Sequence, residues 1–119
     1  IAALEETAEV VRRHHLSIWI WPEGTRSRDG RLRSFRKGFA HLAIATGLPV
    51  APVVVHGAHE RLPYQSFRVA PGALEVEVME PIDTRHWKRE TVDEHVEQVH
   101  ALFRDALRPA QKPLSPAEL

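Results

Sequence analysis

The densest cluster of side chains that could do chemistry lies between Gly24 and Lys37. Six of these residues are basic, against the single acid Asp29, so the segment has a net charge of +5 (six minus one) in a chain of net charge zero. The basic residues are Arg26, Arg28, Arg31, Arg33, Arg36 and Lys37. Arginine presents a planar fork of donors that matches phosphate oxygens two at a time. A phosphate monoester is therefore the simplest ligand for this segment.

Two other interpretations of the basic segment are open. A run of charge is often only a solvated loop without a ligand. A basic patch is also typical of nucleic-acid binding. However, Trp19 and Trp21 precede the arginines inside an apolar run, whereas base stacking needs exposed rings. We therefore expect no nucleic-acid partner.

The hydrophobic pattern predicts the elements that position this segment. Residues 2–13 show the spacing of an amphipathic helix, and Ser17 to Trp21 form an apolar run typical of a strand buried on both faces. A loop over 22–34 leads into a short helix that Gly47 can end, and a Val-rich strand follows over 49–56. Strand, helix and strand in this order predict a right-handed βαβ crossover. The expected fold class is thus α/β, with a mostly parallel sheet flanked by helices.

The second half of the chain continues this domain. A polar connection over 57–71 precedes a strand near Leu74 to Val78, whose alternating glutamates indicate an edge position. A last amphipathic helix ends before Pro109. Residues 1–108 are predicted to form part of a single domain, and the Pro-rich residues 109–119 a disordered tail.

Composition excludes several classes of protein. Hydrophobic residues make up 43% and charged residues 27% of the 119, which is ordinary for a globular domain. The chain has no cysteine, so disulfides and thiolate sites are excluded, and no His, Asp and Glu spacing indicates a metal site. The longest apolar run is too short to span a bilayer. Because the chain begins with Ile1 and a helix already under way, we expect it to be the C-terminal part of a longer domain.

The basic segment contains a specific motif. Trp21-Pro22-Glu23-Gly24-Thr25-Arg26-Ser27-Arg28 resembles the Pro-Glu-Gly-Thr-Arg-Ser block of the glycerophospholipid acyltransferases. Phe35 to Ala40 and the paired prolines of Leu48 to Val55 are similar to later blocks of the same family, in the same order. The resemblance covers roughly residues 3 to 108.

The resemblance implies an activity and its partners. It implies transfer of a fatty acyl group from acyl-CoA or acyl carrier protein to the sn-2 hydroxyl of lysophosphatidic acid, with no cofactor besides that thioester. It also implies the cytoplasmic face of a membrane, reached through a part of the protein upstream. The alternatives are another lysolipid or glycerol phosphate acceptor, or a phosphate-lipid binding domain without catalysis.

The resemblance also implies roles for single residues. Arg26 is expected to hold the acceptor phosphate, and Lys37 to add a second cation, a role for which Arg28 and Arg36 compete. Pro49 and Pro52 are expected to shape the strand near the acyl donor, or only the strand itself. The residues expected to shape the phosphate pocket are Glu23, Gly24, Thr25 and Ser27.

Acyl transfer to an alcohol needs a base, which in this family is a His followed five positions later by an Asp. His14 and His15, upstream of the loop, have Trp19 and Ile20 at that offset. The one matching pair, His100 and Asp105, lies downstream, where a helix turns their side chains about 140° apart.

We therefore expect no catalytic residue in this chain and no activity of the chain alone. His56 and His59 are interpreted as loop residues without a catalytic role.

Overall fold

The computed structural model describes residues 2–118, in which helices dominate. The helices are α1 (Ala2–His14), α2 (Gly38–Thr46), α3 (Ala58–Arg61) and α4 (Val92–Ala106). The strands are β1 (Val53–His56) and β2 (Glu75–Val78). Short 3-10 turns lie at Arg89–Thr91, Pro109–Gln111 and Pro116–Glu118. Between residues 2 and 118, no helix is long and apolar enough to cross a membrane.

The helix boundaries follow local chemistry. Helix α1 buries Ala8 and Val11 and exposes its charged side chains, as its amphipathic pattern predicts. Helix α2 ends at Gly47, whose φ of 71° is left-handed and whose N–H donates to the Ala43 carbonyl at 2.8 Å. Glycine takes this conformation without steric cost, so the predicted end of α2 is confirmed.

The sheet differs from the expected parallel one, because β1 and β2 pair antiparallel. Val53 lies opposite Val78, and His56 opposite Glu75. A bridge between Val50 and Ile82 extends the pairing past Pro52, which has no N–H to donate.

The predicted strand over 17–21 is absent from the described residues, which show no strand pairing there. A strand exists only when a neighbouring strand takes up its backbone hydrogen bonds. Trp19 and Trp21 remain 61% and 70% exposed. The expected βαβ crossover is therefore not formed within residues 2–118.

The core lies between α2 and α4. Its buried members are Phe39, Ala40, Ala43, Trp87, Val92 and Val99. The Trp87 indole stacks on the His95 ring, with centroids 4.5 Å apart and planes 4° from parallel. Helix α1 packs on α2, and its Arg12 guanidinium donates to the Ala45 carbonyl. This core fixes the start of α2, where the basic segment ends.

Candidate functional site

The basic segment is a closed loop, here called the phosphate loop (residues 22–36). The Arg36 N–H donates to the Pro22 carbonyl at 2.7 Å, which joins the two ends of the loop. The Arg33 N–H donates to Oε2 of Glu23 at 2.8 Å. The Gly24 N–H donates to the Trp21 carbonyl at 3.0 Å and makes the first turn. The loop therefore has a defined backbone path, unlike a freely solvated run of charge.

Glycine is favoured at position 24 for two reasons. Its φ of 78° is left-handed, and a Cβ atom built on it would lie 2.7 Å from Nε of Arg36. The Arg36 side chain thus lies directly against the Gly24 backbone. This contact places a second guanidinium next to the turn that carries Arg26.

The outer half of the phosphate loop is held by distant segments. The Leu32 N–H donates to the Gln111 carbonyl at 2.7 Å, and Nη1 of Arg31 donates to the Lys112 carbonyl at 2.8 Å. A Cβ atom on Gly30 would lie 2.7 Å from Cγ of His59. The segment over 109–119, expected to be a disordered tail, thus begins with residues that bind this loop.

The phosphate loop forms one rim of a cleft of about 1360 Å³. Most predicted site residues line this cleft, namely Glu23, Gly24, Thr25, Arg26, Ser27, Pro49 and Pro52. Many of the other lining residues are apolar, among them Phe39, Leu42, Val54 and Phe103. Arg26 is exposed at the rim. The cleft thus combines a cationic edge with a hydrocarbon interior.

Lys37 lies apart from the other predicted site residues. Its Nζ lies 2.6 Å from Oδ1 of Asp93, at the first turn of α4. Lys37 does not line the cleft, whereas Arg26 does. The charge of Lys37 is thus already matched by a carboxylate. Arg36 does not line the cleft either, although its side chain lies against Gly24.

Glu23 closes the loop from inside. Burial raises the pKa of its carboxyl above the ordinary value of 4.5, while the hydrogen bond from the Arg33 N–H and the charges of Arg33 and His100 oppose that rise. The Glu23 side chain stabilises the loop, because its Oε2 accepts a hydrogen bond from the Arg33 N–H on the other side of the loop.

Replacing Glu23 with Gln is expected to flatten the pH dependence of stability just above pH 4.5. A carboxyl whose pKa is raised by folding stabilises the fold while protonated, and this contribution is lost as pH rises through the folded pKa. The amide removes that titration, and its oxygen can still accept from the Arg33 N–H. Urea unfolding from about pH 4 to about pH 7 measures this slope. A slope that is the same in Glu23→Gln and wild type would contradict the assignment.

No hydrogen bond joins His100 and Asp105 in the described residues, whereas His56, expected in a loop, ends β1 and is buried with Nε2 3.2 Å from Oε1 of Glu77. His100 contacts the Arg33 carbonyl through Nε2 at 3.0 Å and packs edge-on against Phe35. Asp105 lies beside Arg104, with Oδ1 3.6 Å from its Nε. His100 therefore contacts the phosphate loop at Arg33 and Phe35, and Asp105 does not orient the His100 ring. Among residues 2–118 no group of three His, Asp or Glu side chains could hold a metal ion.

Several contacts of the loop could not be found from sequence. The Arg28 guanidinium lies 5.7 Å from the centre of the Tyr64 ring, and Gln111 accepts from Leu32. Asp93 is the partner of Lys37. Each joins residues far apart in the chain, and no local motif signals such pairs.

The sequence and the structure match known proteins over most of the chain. A family model described as Acyltransferase matches residues 1–56. A 1-acyl-sn-glycerol-3-phosphate acyltransferase from Cocos nucifera is 44% identical over 96% of this chain and 37% of its own length. One from Haemophilus influenzae is 33% identical over 84% of this chain and 41% of its own length.

A crystal structure gives the same result. The 1-acyl-sn-glycerophosphate (LPA) acyltransferase from Thermotoga maritima superimposes with a TM-score of 0.71 and 33% identity, over 83% of this chain and 41% of that one. The chain thus spans about two fifths of the length of these relatives. These matches agree with the motif and with the order of the later blocks. The chain therefore belongs to the acyltransferase family that includes the 1-acyl-sn-glycerol-3-phosphate acyltransferases.

Proposed function

We propose that this chain supplies the acceptor site of an enzyme that acylates the sn-2 hydroxyl of lysophosphatidic acid. The observation that carries the proposal is the position of Arg26, on a closed loop at the rim of an apolar cleft. An arginine fork there can hold the phosphate of an amphiphile. The names of the relatives, which are acyltransferases for 1-acyl-sn-glycerol-3-phosphate, support this choice of acceptor.

The shape of the cleft fits the acceptor from both ends. Arg26 provides positive charge at the cleft, and the Arg36 guanidinium lies against the Gly24 backbone beside it. The walls near Phe39, Leu42 and Phe103 are apolar and can receive a hydrocarbon chain. A lysophospholipid with a phosphate monoester head group satisfies both halves of the cleft.

The chemical step needs a group beyond this site. The acceptor hydroxyl oxygen attacks the carbonyl carbon of an acyl thioester while a base takes the hydroxyl proton. The C–S bond then breaks, and the departing thiolate receives that proton from the base and leaves as the thiol. The His and Asp pair implied by the family motif does not precede the phosphate loop in this sequence. The role proposed for this chain is to bind and orient the acceptor, with acyl-CoA or acyl carrier protein as donor at a membrane surface.

The apolar segment over 17–21 supports a finer proposal about the fold. It runs along the same cleft as β1 and is exposed although it is rich in Trp and Ile. Relatives of this chain are longer. We propose that this segment becomes a strand of a parallel sheet when a neighbouring strand pairs with it.

Calorimetric titration of the purified chain with a short-chain lysophosphatidate tests the binding function. Saturable binding is expected, with no acyl transfer when a thioester donor is added. A single-stranded RNA oligonucleotide serves as the control for non-specific attraction to the basic loop. Tighter binding of the oligonucleotide than of lysophosphatidate would refute the proposal, and turnover by the chain alone would refute the restriction to binding.

A further inference from the structure

A second loop, here called the tip loop (residues 62–71), rises beside the phosphate loop. Its outermost residues are apolar, with Phe67 fully exposed (102%) and Val69 64% exposed. Arg68 stands between them. A fully exposed Phe next to an exposed Val costs hydration free energy unless another surface covers both.

The tip loop is held at its base. The Ala70 N–H donates to the Arg61 carbonyl at 2.7 Å, and Nη1 of Arg61 donates to the Pro71 carbonyl at 3.0 Å. The Arg68 N–H donates to Oγ of Ser66 at 3.1 Å, which fixes the turn before the tip. These hydrogen bonds fix the base of the tip loop, which exposes Phe67 and Val69.

The two loops form one surface. The Arg28 guanidinium lies 5.7 Å from the centre of the Tyr64 ring, and Gly30 packs against His59. Leu62 and Tyr64 of the tip loop line the same cleft as Arg26. Residues of both loops thus line one cleft, and its edge between Arg26 and Tyr64 is here called the mouth.

This surface is cationic as well as apolar. The phosphate loop carries five basic residues against the two acids Glu23 and Asp29, and residues 59–72 add Arg61 and Arg68 against Glu60. Arginines near an anionic bilayer gain from its negative surface potential, and an aromatic ring gains by entering the head-group region. Charge and apolar exposure thus coincide at the mouth of a cleft suited to an amphiphile.

We propose that the tip loop docks on the surface of an anionic bilayer, with Phe67 and Val69 in the head-group region and Arg68 against lipid phosphates. This docking turns the cleft mouth toward the membrane, and in that respect it rests on the proposed lipid acceptor. A nucleic acid fits less well, because a base that stacks on the Phe67 ring leaves the exposed Val69 side chain in water.

Vesicle flotation tests the proposal. The chain is expected to float with vesicles of phosphatidylcholine mixed with anionic phosphatidylglycerol, and much less with phosphatidylcholine alone. Combining Phe67→Ser with Val69→Ser is expected to lower the partition coefficient about tenfold. The matched control is Val10→Ser, at a residue of α1 that is 48% exposed, which is expected to leave partitioning unchanged.

Charge is tested in the same assay. Arg68→Glu is expected to lower binding to anionic vesicles about tenfold, whereas Arg89→Glu, with the same charge change at a distant exposed site, is expected to have a small effect. Equal losses in both variants would show a non-specific charge effect and overturn the docking site.

A fluorescent label gives a direct readout of contact. Since the chain has no cysteine, a single Phe67→Cys substitution can carry a polarity-sensitive dye, with Val10→Cys as control. A blue shift on anionic vesicles is expected at position 67 only. No shift at position 67, or an equal shift at both positions, would overturn the proposal. It would also be overturned if the Phe67→Ser and Val69→Ser variant lost RNA binding and kept vesicle binding.

Titration with soluble lysophosphatidate distinguishes this proposal from the proposed function. The tip-loop variants are expected to keep their affinity for lysophosphatidate, because the tip-loop residues that they change do not line the cleft.

Discussion

Replacing Arg26 with Ala is expected to weaken lysophosphatidate binding by about 1.5–3 kcal/mol, which is roughly a tenfold to hundredfold loss in affinity. The guanidinium is the basic group of the motif that stands at the rim of the apolar cleft. Its removal leaves the ligand phosphate without its charged donors. Calorimetry on the purified variant measures the loss.

Two companion variants make the Arg26 result specific. Arg33→Ala removes the same charge from the same loop, but at a residue that does not line the cleft, so a small loss is expected. Arg26→Lys keeps the charge and loses the planar fork, so an intermediate loss is expected. Losses of the same size for Arg26→Ala and Arg33→Ala would indicate that only the total charge of the loop matters.

Replacing Trp87 with Ala is expected to lower the free energy of unfolding by about 3–5 kcal/mol, the range for removing a large aromatic side chain from a core. Trp87 is 4% exposed and packs with Phe39, Val92 and Val99 between α2 and α4. Its removal leaves a cavity and exposes the stacked face of His95. Urea unfolding monitored by circular dichroism measures the change.

The matched control for Trp87 is Trp21→Ala, since Trp21 is 70% exposed and is expected to change stability little. Trp87→Phe is expected to cost less than Trp87→Ala, because it keeps a ring in the core. It also removes an indole N–H that has no hydrogen-bond partner among the described residues. A loss below about 1 kcal/mol in Trp87→Ala would contradict the placement of the core.

The parts of the fold that local chemistry determines could be predicted from sequence. The amphipathic pattern of residues 2–13 predicted α1, and Gly47 predicted the end of α2. The pairing of strands could not be predicted, because it depends on which segments meet in space. The run over 17–21 has the composition of a buried strand, yet no neighbour takes up its hydrogen bonds in residues 2–118.

The candidate site divides in the same way. The phosphate loop could be predicted because Glu23 to Ser27 are contiguous and their motif is specific. The ion pair between Lys37 and Asp93 could not be predicted from sequence, because the two residues come close only when α4 packs against α2. The contact of Arg28 with Tyr64, which joins the two loops at the cleft mouth, likewise needed the structure.

The most direct measurement compares two ligands on two proteins. A short-chain lysophosphatidate and the monoacylglycerol of the same chain length differ only in the phosphate, and each is titrated into the wild-type chain and into Arg26→Ala. If Arg26 holds the phosphate, the substitution lowers affinity for lysophosphatidate by about tenfold or more and leaves affinity for monoacylglycerol unchanged. Equal changes for both ligands, or no change for either, would contradict the assignment of Arg26 to the phosphate.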